Sequence, residues 1–286
     1  MNKCRFLLSC AIGMTAGTSA LAADMPIKMA AAPAPAAYDW TGCFIGGNGG
    51  GATLSSGSTY APDPSTSNQP FGSQNLFAAL PASYDTGSRG SVAGGQIGCN
   101  FQSGRWVVGA EADLDAAHLS KSVGFIGPTS IFGTAIGPLT SALPTNSVFG
   151  NEQVSLRSLS TVRARIGLAL FDRLDVYGTV GFALGTVSDN GSVIVGVTNP
   201  AGAMVVWSGS DVSNKVGLAF GGGGEYAVTD HWSIKGEYIH FDLGTVSHPL
   251  GLSFVNFAFA SVYTTIGSTR TQVTGSFARG GLNYKF

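Results

Sequence analysis

Thr271 to Phe286 reads TQVTGSFARGGLNYKF. Counted back from its end, Phe286, Tyr284, Leu282, Gly280 and Ala278 fall on one parity, while Lys285, Asn283, Gly281 and Arg279 fall on the other. Successive side chains of a β-strand point to opposite faces, so this period-two alternation predicts a strand with one apolar and one polar face. The alternation runs to the aromatic residue at position 286.

Seven further segments of this kind precede it. The strand before it, Trp232 to Leu243, sets Trp232, Ile234 and Tyr238 against Ser233, Lys235 and Glu237. Val212 to Tyr226 sets Val216, Leu218 and Phe220 against Lys215, Gly217, Ala219 and Glu225. The segment starting at Leu174 opposes Val176, Val180 and Phe182 to Tyr177, Thr179 and Gly181, and Val154 to Ala169 opposes Val162, Ala164 and Ile166 to Thr161, Arg163 and Arg165. Arg105 to Ala116 alternates most clearly, Trp106, Val108, Ala110, Ala112 and Leu114 against Gly109, Glu111, Asp113 and Asp115. Gly90 to Gln102, carrying Gln96 and Asn100 on its polar face, and Trp40 to Gly50 complete the set.

The connections decide how eight such strands are arranged. Those after the second, fourth and sixth are short turns, whereas the others cover roughly 52–89, 117–153, 187–211 and 244–270. Strict alternation of short and long connections is the pattern of a membrane meander, with periplasmic turns on one rim and extracellular loops on the other. The predicted fold is all-β, an eight-stranded antiparallel up-and-down transmembrane β-barrel. Trp40, Phe101, Trp106, Phe171, Tyr226, Trp232, Tyr284 and Phe286 all lie beside the short-turn rim, where an interfacial girdle belongs.

Composition agrees. Only 11% of residues are charged, mean hydropathy is +0.23 and glycine is abundant, against about 25% charged residues in a soluble domain. No segment after the start approaches the roughly 20 consecutive apolar residues of a spanning helix. Residues 1–22, with Lys3 and Arg5 ahead of an apolar run and Ala20-Leu21-Ala22 at its end, read as a secretory signal peptide. Setting them aside moves the formal net charge from −1 to −3, and no basic stripe argues for nucleic acid. Residues 23–38 are an Ala/Pro-rich periplasmic lead-in and 39–286 form the barrel.

Several segments together resemble the small outer-membrane immunogenic proteins, a porin-like family with an OmpA-type eight-strand barrel. They are Tyr38-Asp39-Trp40-Thr41-Gly42, Gly94-Gly95-Gln96-Ile97-Gly98, Gly109-Ala110-Glu111-Ala112-Asp113, Thr161 to Gly167, Gly236-Glu237-Tyr238 and Arg279 to Phe286. The resemblance implies residence in the bacterial cell outer membrane, contact with lipid and lipopolysaccharide, and a terminal strand whose Leu282, Tyr284 and Phe286 are read by the assembly machinery. It also implies a role in envelope integrity and surface exposure, with narrow or gated passage of small solutes. Cys43 and Cys99 depart from the family, which usually has aromatics there, and anchoring to the cell wall through a peptidoglycan-binding domain is not expected.

Three constellations could carry chemistry. Glu111, Asp113, Arg163, Arg165, Lys215, Glu225, Lys235, Glu237 and Arg279 share the inward parity with Gln96 and Asn100. Eight strands enclose only enough space for side chains, so Glu111 with Arg163 or Arg165, and Glu225 with Lys235, read either as a paired ionic plug or as a narrow polar pore. The loops, with apolar spots at Phe125-Ile126, Ile131-Phe132 and Phe254 to Phe259, read as an adhesive surface for an extracellular ligand or as plain cover. His118-Leu119-Ser120 resembles the dyad of lipid A deacylases, but Ser120 falls in a predicted loop and His231, His240 and His248 do not converge on it, so no catalytic site is assigned.

A first hairpin that places Gly51 opposite Ser91 also places Cys43 opposite Cys99, as a disulfide or as two thiols. No Cys/His spacing resembles a metal site, and no cofactor is expected. The whole reads as a monomeric or weakly associating barrel.

Overall fold

The computed structural model describes residues 38–66, 83–127, 146–197, 203–255 and 264–286. Eight strands follow one another: β1 (Gly42–Pro62), β2 (Ser83–Ser103), β3 (Trp106–Gly127), β4 (Asn146–Leu170), β5 (Leu174–Val197), β6 (Ala203–Ala227), β7 (Trp232–Val255) and β8 (Thr265–Lys285). Each pairs antiparallel with the next, and β8 pairs back on β1 to close the barrel. Closure removes the sheet edges, which a wall facing lipid cannot leave exposed. The turns at 104–105, 171–173 and 228–231 share one rim with Phe286.

The strands, 21 to 25 residues each, are longer than the alternation predicts. They continue as paired ladder well into the stretches expected to be loops. Phe125, Ile126 and Phe254 are therefore strand residues, while Ile131-Phe132 and 256–259 lie outside the described residues. The alternation is interrupted by bulges. In β4 the register shifts between Leu156 and Ser158. In β7 it shifts between Asp242 and Thr245, where Gly244 adopts φ 74°, a left-handed conformation that only glycine enters at no steric cost. Beyond that bulge the buried set changes from Ile239, Phe241 and Leu243 to Val246, His248 and Leu250.

The outward faces mark the membrane. They begin at exposed aromatics, Phe101, Trp106, Tyr226, Trp232 and Tyr284, and stay apolar or small until Ser91, His118, Asn214 and Ser276. Ten residues at about 3.3 Å rise and about 40° tilt cover about 25 Å, the height of an outer-membrane apolar band. Trp40 is a correction to the predicted girdle. It is only 2% exposed and packs with Tyr38, Val107 and Ala227 inside the periplasmic mouth rather than against lipid. Its amide donates to Gln102 Oε1 at 2.7 Å, and the Tyr38 and Trp40 rings meet edge to face at 4.8 Å.

Candidate functional site: a layered lumen

Four layers fill the barrel from the periplasmic end upward. Tyr38 and Trp40 form the lowest. Burial, with Glu225 and Asp230 nearby, pushes the Tyr38 phenol up to about 12, and the Thr41 amide and hydroxyl hold the Asp39 carboxyl below its ordinary value.

Above them lies an ionic layer. Arg163 Nη2 reaches Glu111 at 2.8 Å and Asp113 at 2.9 Å, its Nη1 reaches Glu237 at 3.1 Å, and its Nε donates to Thr161 Oγ1 at 2.7 Å. Arg279 donates to Glu237 and Asp113 at 2.6 and 2.7 Å, and to Asp115. Arg165 pairs with Asp175 and Glu225, both at 2.6 Å, and stacks on Tyr177 with 3.8 Å to the ring centre. Lys235 Nζ lies 2.5 Å from Glu111 and 3.2 Å from Glu237. Gln96 donates to Asn283 Oδ1 at 2.5 Å, and Asn100 is buried. Opposite charges held this close offset the cost of removing each from water.

Two details differ from the sequence reading. Glu225 and Lys235 are register partners, yet they do not pair through their charges. The long lysine stem reaches across the narrow lumen to Glu111, while Glu225 takes Arg165, Ser233 and Asn283. Lys215 has the inward parity but pairs with Gly185 above the ionic layer, is partly exposed, and joins none of the ion pairs among the described residues. Asp115 and Asp175, which share its parity, belong to the network as well.

The third layer is apolar. Leu54, Val92, Leu119, Leu156, Phe241 and Phe277 belong with eleven more buried residues to one cluster that fills the lumen at this level. Above it stands a polar layer that sequence did not reveal. It holds Ser58, hydrogen-bonded to Thr271 at 3.0 Å, and a buried group of Glu152, Asp189 and His248. Each of these three lies in a stretch expected to be a loop, which hid the fact that all point inward.

The remaining candidates lie on the outer wall. Cys43 faces Cys99 in the register that pairs Gly51 with Ser91, and the two sulfurs are bonded. Leu282, Tyr284 and Phe286 are exposed at the periplasmic rim. His118 and Ser120 are strand residues of β3 on its outward face, and the Ser120 hydroxyl accepts from Gln153 Nε2 at 3.4 Å. His231 and His240 engage Lys285 O and Ser276 Oγ instead.

Comparison with known proteins agrees with this architecture. The 31 kDa outer-membrane immunogenic protein of Brucella melitensis biotype 1 is 30% identical over 273 residues, covering 94% of both chains, and the protein of that name from Brucella suis biovar 1 matches equally. Among solved structures, OprG from Pseudomonas aeruginosa aligns over 87% of this chain and 98% of its own at 14% identity and a TM-score of 0.38, too loose a superposition to argue from. Residues 26–286 match the family described as outer membrane protein beta-barrel domain. With a closed eight-strand ring, an apolar belt of membrane height and relatives that align along nearly the whole chain, this protein belongs to the outer-membrane β-barrel family and resides in the bacterial outer membrane.

Proposed function

We propose that this protein is a closed, non-enzymatic barrel that supports the envelope and presents its upper wall and loops at the cell surface. The observation that carries the reading is the filled lumen: an ionic layer of mutually paired side chains lies directly beneath a continuous apolar one. A solute would have to separate several buried ion pairs and then cross a layer with no polar lining, and open aqueous channels are usually built from about 16–18 strands. In this reading the outer belt contacts lipid and lipopolysaccharide, and Leu282, Tyr284 and Phe286 present the terminal strand to the assembly machinery. Planar-bilayer recordings of the pure protein test it. The expected result is no stable single-channel steps. Reproducible steps that persist after repurification would replace it with a gated porin.

One observation favours a surface-binding role within the same reading. The wall above the belt carries a cleft of about 640 Å³ lined by Asn151, Gln153, Asn190, Ser192, Ser208 and Ser210. Amides and hydroxyls of this kind suit a neutral polar ligand, such as a glycan, better than an apolar one.

A further inference from the structure

The barrel wall has a seam. β6 and β7 pair from Ala227 to Leu218 and again at Ser208, but residues 209–217 of β6 have no ladder partner in β7, and neither do 243–250 of β7 in β6. Over this interval β7 is held by β8 on one side and comes close to β5 on the other. Glu152 of β4, Asp189 of β5 and His248 of β7 meet at that place.

His248 is 1% exposed, and neither of its ring nitrogens has a hydrogen-bond partner. Nδ1 faces Asp189 Oδ2 at 3.5 Å and Nε2 faces Glu152 Oε1 at 4.0 Å, too far for hydrogen bonds. Ligand atoms of the three residues all lie within 4.8 Å of one another. Atoms that bind one ion at about 2.0–2.2 Å in a tetrahedral arrangement stand about 3.4 Å apart; the two carboxylates face different ring nitrogens, so one of them must swing to the nitrogen that the other faces for the set to share a centre. Two glycines are what admit these side chains. A Cβ at Gly191 would fall 2.4 Å from Glu152 Oε2 and 2.9 Å from His248 Nε2, and one at Gly209 would fall 2.5 Å from His248 Cδ2.

We propose that Glu152, Asp189 and His248 bind a divalent transition-metal ion, with Zn²⁺ as the representative, and that the ion staples β7 to β4 and β5 where the β6–β7 ladder lapses. An imidazole with two carboxylates is a borderline nitrogen and oxygen donor set, which suits Zn²⁺ better than Ca²⁺ or Mg²⁺, whose ligands are oxygen alone. Three protein ligands leave one coordination position for water.

The test uses the full barrel without a histidine tag, refolded in detergent, treated with chelator and titrated with ZnCl₂ by calorimetry. One Zn²⁺ per barrel is expected, with affinity at least ten-fold weaker in both His248→Ala and Asp189→Asn and unchanged in His118→Ala, which alters an exposed histidine on the outer face. Zn²⁺ should also raise the melting temperature of the parent barrel and leave that of His248→Ala unmoved. Absence of stoichiometric binding, or binding that survives His248→Ala, would overturn the site; binding without a rise in melting temperature would overturn the staple. Should the variants not refold, the His248 imidazole resonances of the isotope-labelled parent barrel decide the site: a shift that saturates at one Zn²⁺ per barrel supports it, and resonances unmoved by bound Zn²⁺ overturn it.

Discussion

The lower and upper halves of the barrel are built with opposite polarity. Below, β3 turns Glu111, Asp113 and Asp115 inward and Val108 and Leu114 outward; above, the same strand turns Ala117 and Leu119 inward and His118 and Ser120 outward. β7 does likewise, passing from Lys235 and Glu237 inside to Ile239, Phe241 and Leu243 inside. The lower half is a membrane barrel with lipid outside and polar groups within. The upper half reverses this where it begins, with an apolar layer inside, capped by the buried Glu152, Asp189 and His248, and a largely polar outer wall. The two halves therefore depend on different forces: mutual pairing of buried charges below, transfer and packing of apolar side chains above.

The sharpest break in that comparison comes from removing one hub of the ionic layer. Arg163→Met leaves Glu111, Asp113 and Glu237 short of a cation each of them touches. Removing one partner of a buried pair costs about 3–5 kcal/mol, and a loss of that size is expected in urea unfolding of the detergent-refolded barrel. A cost under about 1 kcal/mol would mean that the layer behaves like a surface network and that water reaches it.

In the apolar layer the same measurement reads a different force. Leu156 is 1% exposed among Phe241, Leu243 and their neighbours, so Leu156→Ala is expected to cost about 2–5 kcal/mol through lost transfer energy and an unfilled cavity. The bilayer remains silent to conductance in this variant, because the ionic layer beneath is intact. Conduction by Leu156→Ala would show that the apolar layer alone seals the lumen.

The lower half was legible in the sequence almost residue by residue, because lipid outside and paired charge inside impose the cleanest alternation. The upper half was not. Where the polarity inverts, Ala116 to Leu119 offers no contrast of the same sense, and bulges at Arg157 and Gly244 shift the parity of β4 and β7. Strands that continue in the structure therefore look like loops in the sequence, with Glu152, Asp189 and His248 dispersed among three of them. Register is what collects such residues, since a one-residue shift carries a whole set of side chains to the other face. The position of Trp40 is hidden for a related reason: an aromatic residue at a strand end can anchor in the interface or fold into the mouth, and only the contacts with Tyr38 and Gln102 distinguish the two.

The smallest effects probe where one polarity gives way to the other, and they follow from the outer wall alone. Val180 faces outward in β5, six residues above its start at Leu174 and 62% exposed, which puts it near the middle of the belt. Gln272 faces outward in β8, twelve residues above Tyr284 and beyond Ser276, where the wall has turned polar. Lysine at the midplane of an outer-membrane strand costs about 2–4 kcal/mol, so Val180→Lys should lose that much in a lipid bilayer. Gln272→Lys should stay within about 0.5 kcal/mol of the parent, as a surface substitution in water does. Unfolding both from phospholipid vesicles places the boundary between them. Equal costs would move it above Gln272, and the upper barrel would then have to be read as a second membrane-embedded segment rather than as one carried outside the membrane.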